Sequence, residues 1–360
     1  RGTRRGLPRT PGTRRLLKAG RSGHGHQRRA SVPAVREERW TPLSTRKNIL
    51  VPGPYRLPDI VANVLRRNRA RPPVLDPLDA LSAEEFVDLA YRMVLGREPD
   101  PLGRKARLAE LKQGRLDRAG VLSSLRTSPE MRGLVDSVGS AIHLSRRMFV
   151  RSLPRANSIL DLGGVDLDDP RGGLVSLGYP YRFDSLTVVD LPNELRHEIY
   201  RSSERAECFV SDHGPIHYRY HSMEDLSLYA DSSVDLIYSG QSIEHITRPA
   251  GEQLLAEVGR VLAPGGCFAL DTPNRVATEI ELMGSDRQFV DPDHEIEYRS
   301  TELEEMFDSA GLCVLRRHGL NWLPGMCERG SLSAEEIAAE PGIFDEADEC
   351  YILAYVVGVE

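Results

Sequence analysis

Small clusters of acids, glycines and histidines recur along the second half of the chain, each where a short apolar run ends. Asp161, Gly163 and Gly164 follow the run beginning at Ser158. Asp190 closes another, 26 residues after Gly164. Ser222, Met223 and Glu224 follow a third, Gln241, Glu244 and His245 a fourth, and Asp271 and Asn274 a fifth. Glycine lets backbone approach a ligand with no Cβ in the way. A strand-end acid about 20 residues beyond a glycine turn can accept both hydroxyls of an adenosine ribose. A histidine titrates near neutral pH and can take a proton from a hydroxyl. His245 and His294, the latter in "DPDHEIEY", are the candidate bases. Each has a plainer role open to it, His245 as a helix-start or packing residue and His294 in a solvated acidic loop, with Ser300 or Thr301 capping the next helix.

These residues need elements that bring them together. Ser158–Leu162, Leu186–Asp190, Val234–Ser239 and Cys267–Asp271 read as strands, with Ile216–Tyr220 and a short Cys208–Val210 beside them. "GEQLLAEVGRVL" and "STELEEMFDSAG" have helical periodicity. Alternating strands and helices predict an α/β domain with a parallel sheet. Ligands bind such a sheet beyond the carboxyl ends of its strands, where all five clusters stand. Two late strands, Val314–Arg317 and Tyr351–Val359, are expected at one edge.

The glycine turn is irregular. "DLGGVDLDDPRGG" inserts Asp166, Asp168 and Asp169 before Gly172 and Gly173. Asp169 could cap a helix with Pro170 at its first position. A dinucleotide would miss the GxGxxG loop that cradles its pyrophosphate, whereas a sulfonium cofactor has no phosphate to hold.

The stretch "MEDLSLYADSSVDLIYSGQSIEHITRPAGEQLLAEVGRVLAPGGCFALDTPN" resembles class I S-adenosylmethionine (SAM)-dependent methyltransferases of the type 11/23 kind. "DHEIEYRSTELEEMFDSAGLCVL" is similar to that family's histidine, helix and final strand. The resemblance spans roughly residues 155–360 and implies a Rossmann-like sheet with SAM as cofactor. It implies Asp161, Gly163 and Gly164 at the methionine part, Asp190 at the ribose, and Ser222 and Met223 at the adenine, with Gln241 also on the cofactor side. Ser222 departs from the aspartate usual at its position, and the first loop from GxGxG. Relatives acting in the ubiquinone pathway bind a metal through E-x-x-E-H. Here Gln241 replaces the first carboxylate, so no metal is expected.

Before this domain, "LSAEEFVDLAYRMVLGREPDPLGRKARLAELKQGRLDRAGVLSSLRTSPEMRGLV" predicts a small all-α unit over residues 79–150. Ser82 with Glu85 forms a capping box, Gly96 and Pro99 stop the first helix, and Ser128-Pro129-Glu130 starts the last. The segment resembles a bacterial domain of unknown function, similar in pattern to phycobilisome linkers, that accompanies surface-polysaccharide enzymes. It offers no nucleophile set and reads as a binding or scaffolding module.

Residues 1–78 form a basic tail and linker. Residues 1–75 hold 19 Lys+Arg against 3 Asp+Glu, and the rest of the chain reverses that sign. The first fifty lack apolar periodicity and are expected to be disordered. Only four lysines occur, an Arg bias that points to a GC-rich bacterial genome, where translated upstream sequence would also look like this tail. The tail is therefore not read as a nucleic-acid arm. Removal of residues 1–50 is expected to leave cofactor affinity and melting temperature nearly unchanged; a fall in either beyond scatter would show that the segment packs on the fold. Five cysteines without CxxC or zinc spacing suit a reducing, cytoplasmic compartment. No apolar run is long enough to span a membrane.

The expectation is an O-methyltransferase acting on a sugar, lipid-linked glycan or small metabolite. The alternative is a non-catalytic, methyltransferase-like scaffold in polysaccharide assembly, with a nicotinamide-dependent oxidoreductase a third reading. Acceptor and oligomeric state are not legible.

Overall fold

The computed structural model describes residues 81–196 and 207–359. The tail of residues 1–78, with a helical pattern predicted at Ile60–Leu65, lies outside them.

Among the described residues, five helices come first: α1 (Ala83–Leu95), α2 (Pro101–Lys112), α3 (Arg118–Arg126), α4 (Pro129–Arg132) and α5 (Val138–Arg151). The Ser82–Glu85 capping box opens α1, and Gly96 ends it in the left-handed conformation. Asp100 and Asp117 cap α2 and α3 through side-chain oxygens. Ser128 does start a helix, but only the four residues of α4. The last helix is α5, capped by Ser137.

Nine strands of the described residues form one sheet: β1 (Ser158–Leu162), β2 (Ser185–Asp190), β3 (Cys208–Val210), β4 (Pro215–Tyr220), β5 (Val234–Gly240), β6 (Leu262–Pro273), β7 (Leu312–Trp322), β8 (Ile343–Phe344) and β9 (Cys350–Val359). Their order is β3-β4-β2-β1-β5-β6-β9-β7-β8. β4, β2, β1, β5 and β6 run parallel. β9 inserts antiparallel between β6 and β7, so the two late strands extend the sheet beyond β6, and β8 takes the edge. The chain leaves β1 toward β2 and β4 and returns on the other side through β5 and β6. In open α/β sheets the ligand crevice lies at such a reversal, here above the carboxyl ends of β1 and β5.

Side chains alternate between two cores, as a doubly covered sheet requires. Leu160, Leu162, Val189, Ile237, Phe268 and Leu270 face one side. There they meet Leu254, Leu255 and Val258 of α7 (Arg248–Val261) and Leu303, Met306 and Phe307 of α9 (Ser300–Ser309). Ile159, Leu186, Val188, Leu236 and Ala269 face the other, under Phe149 and Val150 of α5 and Leu174 and Val175 of α6 (Gly173–Ser176). A short helix α8 (Arg275–Glu281) follows β6, with Asn274 as its cap.

Helix α5 serves both units. Leu144 and Met148 complete the core of α1 and α3, while Phe149 and Val150 cover the sheet. Ser145 Oγ accepts from Gly342 N at 2.9 Å, and Arg126 donates to the Ile343 carbonyl at 3.1 Å. The described helices and sheet belong to one compact body. Cys267 and Cys350 are buried, and Cys208 and Cys327 exposed. No helix among the described residues is long and apolar enough to cross a membrane.

Candidate functional site

The turn after β1 folds down over its own aspartate. Asp161 is buried at the strand end, and its Oδ2 accepts from Leu174 N at 2.9 Å, tying α6 to β1. A Cβ on Gly164 would come 2.3 Å from the Asp161 carboxyl carbon, so only glycine lets this backbone lie on the carboxylate. Gly163 has φ +65°, and a Cβ there would meet Ser242 Oγ at 2.5 Å. The loop thus packs inward on β1 and on the turn after β5. Asp169 does not cap a helix at Pro170. Its carboxylate takes Arg171 N and the Arg171 guanidinium, and α6 begins later, at Gly173. The insertion is an acidic bulge before the second glycine pair, held by Asp166, whose Oδ1 accepts from Asp168 N and Asp169 N.

Burial pushes the Asp161 carboxyl up to about 7. The folded chain then holds a proton that the unfolded chain, near the ordinary value of 3.8, has released. Its contribution is therefore fully present below about pH 4 and lost as pH rises toward 7. Asp161→Asn keeps an acceptor for Leu174 N. It is expected to lose less stability than wild type between pH 5 and 7.5 in urea unfolding; equal losses would remove Asp161 from the pH dependence.

Asp190 ends β2 next to this loop. Its Oδ2 accepts from Val165 N at 3.1 Å and its Oδ1 from Leu191 N at 2.7 Å, with Arg196 Nε 3.2 Å away. A carboxylate has about four lone-pair directions. Three are engaged, so a ribose would have to add to or displace the Arg196 contact. Met223 is buried in the core beside Leu162 and Val189, and the Ser222 hydroxyl donates to Glu224, leaving its lone pairs to accept. Gln241 turns the chain out of β5 at φ +55°, its amide donating to Asp271 Oδ1 at 3.1 Å. The bare glycine backbone, Asp190 and the β4 and β5 turns fit a nucleoside bound through a sulfonium side chain. They give no phosphate cradle.

Asp271, at the end of β6, is fully buried. It is held by Tyr238 OH at 2.6 Å, by Gln241 and by Arg146 Nε at 2.7 Å. Arg146 comes from α5, so the helix that joins the helical unit to the sheet also reaches the end of β6.

On the other side of β5 the two histidines meet. Their rings stack edge to face with centroids 4.9 Å apart. The loop carrying His294 is clamped there, because the Glu244 carbonyl accepts from Glu295 N at 2.9 Å and from Ile296 N at 3.1 Å. His245 Nδ1 lies 3.2 Å from the Asp293 carbonyl, and His294 Nδ1 lies 2.7 Å from Glu297 Oε1. A carbonyl only accepts, so His245 is protonated at Nδ1 and has its lone pair on Nε2. Burial holds the His245 pKa below the ordinary imidazole value. Burial also opposes charge on His294, but the hydrogen bond it donates to Glu297 and the nearby Glu244 carboxyl outweigh it and raise its pKa. Glu244 is fully buried, its carboxyl pushed up to about 7. Its Oε2 accepts from the Thr272 hydroxyl at 2.9 Å, and its Oε1 has no hydrogen-bond partner among the described residues. Ser300 does not cap α9. Arg299 stands at the cap, and Ser300 bonds Asp348 instead.

The structure therefore gathers Asp161, Gly163, Gly164 and Asp190 in one loop system, sets Gln241 at the β5 turn on Asp271, and brings His245 and His294 into contact. The sequence already set Glu297 among the acids around His294 and Glu244 beside His245, but it gave no sign of Arg146 or Tyr238. The i, i+3 spacing of His294 and Glu297 was available as a signal; Arg146 had none.

A Rossmann-like α/β sheet with its polar residues at this crevice defines the class. A methyltransferase-domain family matches residues 172–270, and a domain of unknown function, DUF4214, matches residues 78–135, ending before α5. A probable S-adenosylmethionine-dependent methyltransferase of Mycolicibacterium smegmatis is 33% identical over 144 residues, 39% of this chain and 53% of that protein. The chain thus spans about half the length of the curated relative it matches. Among solved structures, a possible histamine N-methyltransferase of Thermotoga maritima aligns over 62% of this chain and 91% of its own, at 17% identity and a TM-score of 0.41. The Bacillus subtilis YcgJ protein aligns over 61% and 98%, at 18% identity and a TM-score of 0.36. Residues 172–270 thus resemble a methyltransferase domain and residues 78–135 a DUF4214 domain, and S-adenosylmethionine is the methyl donor these matches indicate.

Proposed function

We propose that the chain transfers the SAM methyl group to a hydroxyl of a sugar, a lipid-linked glycan or another small metabolite. The observation that carries this reading is the Glu244–His245–His294 cluster beside the crevice, backed by Glu297. It gathers acid and base groups where an acceptor hydroxyl would have to lose its proton. SAM supplies an activated methyl when bound. The glycine backbone of Gly163 and Gly164 and the carboxylate of Asp190 would hold it, with Ser222 and Met223 at the adenine and Gln241 at the turn. The protein's own work is to orient the acceptor, exclude water and receive the proton. The glycan assignment is supported by the company the helical domain keeps in the sequence resemblance, which also suggests that it scaffolds an assembly, as phycobilisome linkers do.

Calorimetric titration with SAM and with NAD, followed by label transfer from SAM to a panel of sugars and glycolipids, tests the reading. SAM binding with label on a hydroxyl supports it; binding of NAD alone overturns it. Asp190→Ala is expected to weaken SAM by about 10–100-fold, since hydrogen bonds to a charged group contribute roughly 1.5–3 kcal/mol each. Unchanged affinity would remove Asp190 from the ribose site. A second reading, a methyltransferase-like binding protein without catalysis, is favoured by the irregular loop after β1, whose glycines pack inward on Asp161 and Ser242. It predicts SAM binding with no transfer to any acceptor.

A further inference from the structure

We propose that Glu244, His245 and His294 bind a divalent transition cation that holds the acceptor oxygen. One donor atom from each residue lies within 4.8 Å of the other two. Gln241, whose amide is spent on Asp271, takes no part. The third donor comes from 49 residues downstream, through the loop clamped on the Glu244 carbonyl.

Three further features point to a ligand rather than to chance proximity. Glu244 is fully buried, yet its Oε1 has no hydrogen-bond partner among the described residues. An unsatisfied buried carboxylate oxygen is costly, and a cation at the neighbouring imidazoles would satisfy it. Both rings are also oriented from behind, His245 by the Asp293 carbonyl and His294 by Glu297. Nδ1 is thereby engaged on each ring, leaving Nε2 as the donor. This outer support, a carboxylate or carbonyl on the second ring nitrogen, is what metal-binding histidines have. Finally, Thr272 holds the other oxygen of Glu244 at 2.9 Å, so the ligating carboxylate is itself oriented.

The donor set selects the ion. Two imidazoles and one carboxylate suit Zn²⁺, Co²⁺, Mn²⁺ or Fe²⁺, whereas Mg²⁺ and Ca²⁺ prefer oxygen alone. Three protein ligands leave a position open. An acceptor hydroxyl bound there becomes more acidic. With both imidazoles on the cation the proton leaves to solvent rather than to a histidine, the acceptor oxygen forms the new O–C bond, and the C–S bond of the sulfonium breaks with its electron pair going to sulfur.

The role of the cation rests on the methyl-transfer reading; its binding does not, and the test separates them. The full chain, stripped with EDTA, is titrated with Co²⁺ by visible absorption and with Zn²⁺ by equilibrium dialysis, with Mg²⁺ as control. One equivalent of Co²⁺ and of Zn²⁺ is expected. Glu244→Gln and His294→Ala should each weaken binding by about 10²-fold or more, and Glu297→Gln by about 10–100-fold. Thermal melting and SAM titration of each variant identify any that fail to fold, and Glu297→Gln, which keeps all three ligands, provides a milder variant. Absence of Co²⁺ and Zn²⁺ binding by wild type overturns the inference. So do variants that bind like wild type, or Mg²⁺ binding as tight as Zn²⁺. Full methyl transfer by metal-free protein overturns the cation's role and leaves the methyltransferase reading standing. Stoichiometric Co²⁺ binding lost in the variants, with no transfer to any hydroxyl, supports the site and sinks that reading.

Discussion

His294→Ala is expected to keep SAM affinity within a few-fold of wild type while turnover falls by about 10²–10⁴-fold. The split follows from where the residue sits. His294 touches His245 and Glu297 on the far side of β5 from the Asp190 loop, and among the described residues no hydrogen bond or ring contact links it to Gly163, Gly164 or Asp190. Its loss should therefore leave cofactor binding alone and act on the step in which the acceptor gives up its proton. The expectation holds whether the imidazole takes that proton or helps hold a cation on the acceptor oxygen. Turnover at saturating acceptor, set beside calorimetric SAM affinity, checks it. Unchanged turnover would leave His294 a packing residue. A parallel loss of SAM affinity would show that the loop from Asp291 to Glu297 supports the cofactor side as well.

Much of this arrangement was legible because parallel strands announce themselves. Ser158–Leu162 and Val234–Gly240 are buried on both faces, so they read as continuous apolar runs, and the polar residue ending each run falls in the crevice by topology. The capping box at Ser82 was legible for a different reason, since its chemistry is local. What escaped is non-local or depends on backbone detail. Asp169 next to Pro170 has the composition of a helix start, yet Arg171 captures its carboxylate and the helix waits for Gly173. Asp190 could be placed at the ribose, but its engagement by Val165 N and Arg196 follows from how the irregular loop folds back. The helical unit appeared separable from the α/β domain, because nothing in "AIHLSRRMFV" says that Leu144 and Met148 serve one core while Phe149 and Val150 serve another.

That shared helix carries the second large effect. Arg146→Ala is expected to destabilise the protein by about 3–5 kcal/mol, the cost of leaving a buried carboxylate without its cationic partner. Asp271 is fully buried, and after the substitution only Tyr238 OH and the Gln241 amide of its side-chain partners would remain on the carboxylate. For a domain of this size the loss corresponds to a fall in melting temperature of roughly 6–20 °C. Because Gln241 shares Asp271 Oδ1 with Arg146, the turn after β5 should loosen too, and SAM affinity should fall with stability. Merely losing packing from α5 would also lower the melting temperature, so the single variant does not isolate the ion pair. The double variant Arg146→Met with Asp271→Asn does. It removes both charges while keeping the volume and the amide acceptor, and it should recover much of the loss, since replacing a buried pair by matched neutral groups is often close to neutral. Thermal melts of Arg146→Met and of Asp271→Asn, set beside the double, complete the cycle. If Arg146→Ala melts within 2 °C of wild type, or the double variant is no better than the sum of the singles, the Arg146–Asp271 contact does not couple the helical unit to the sheet.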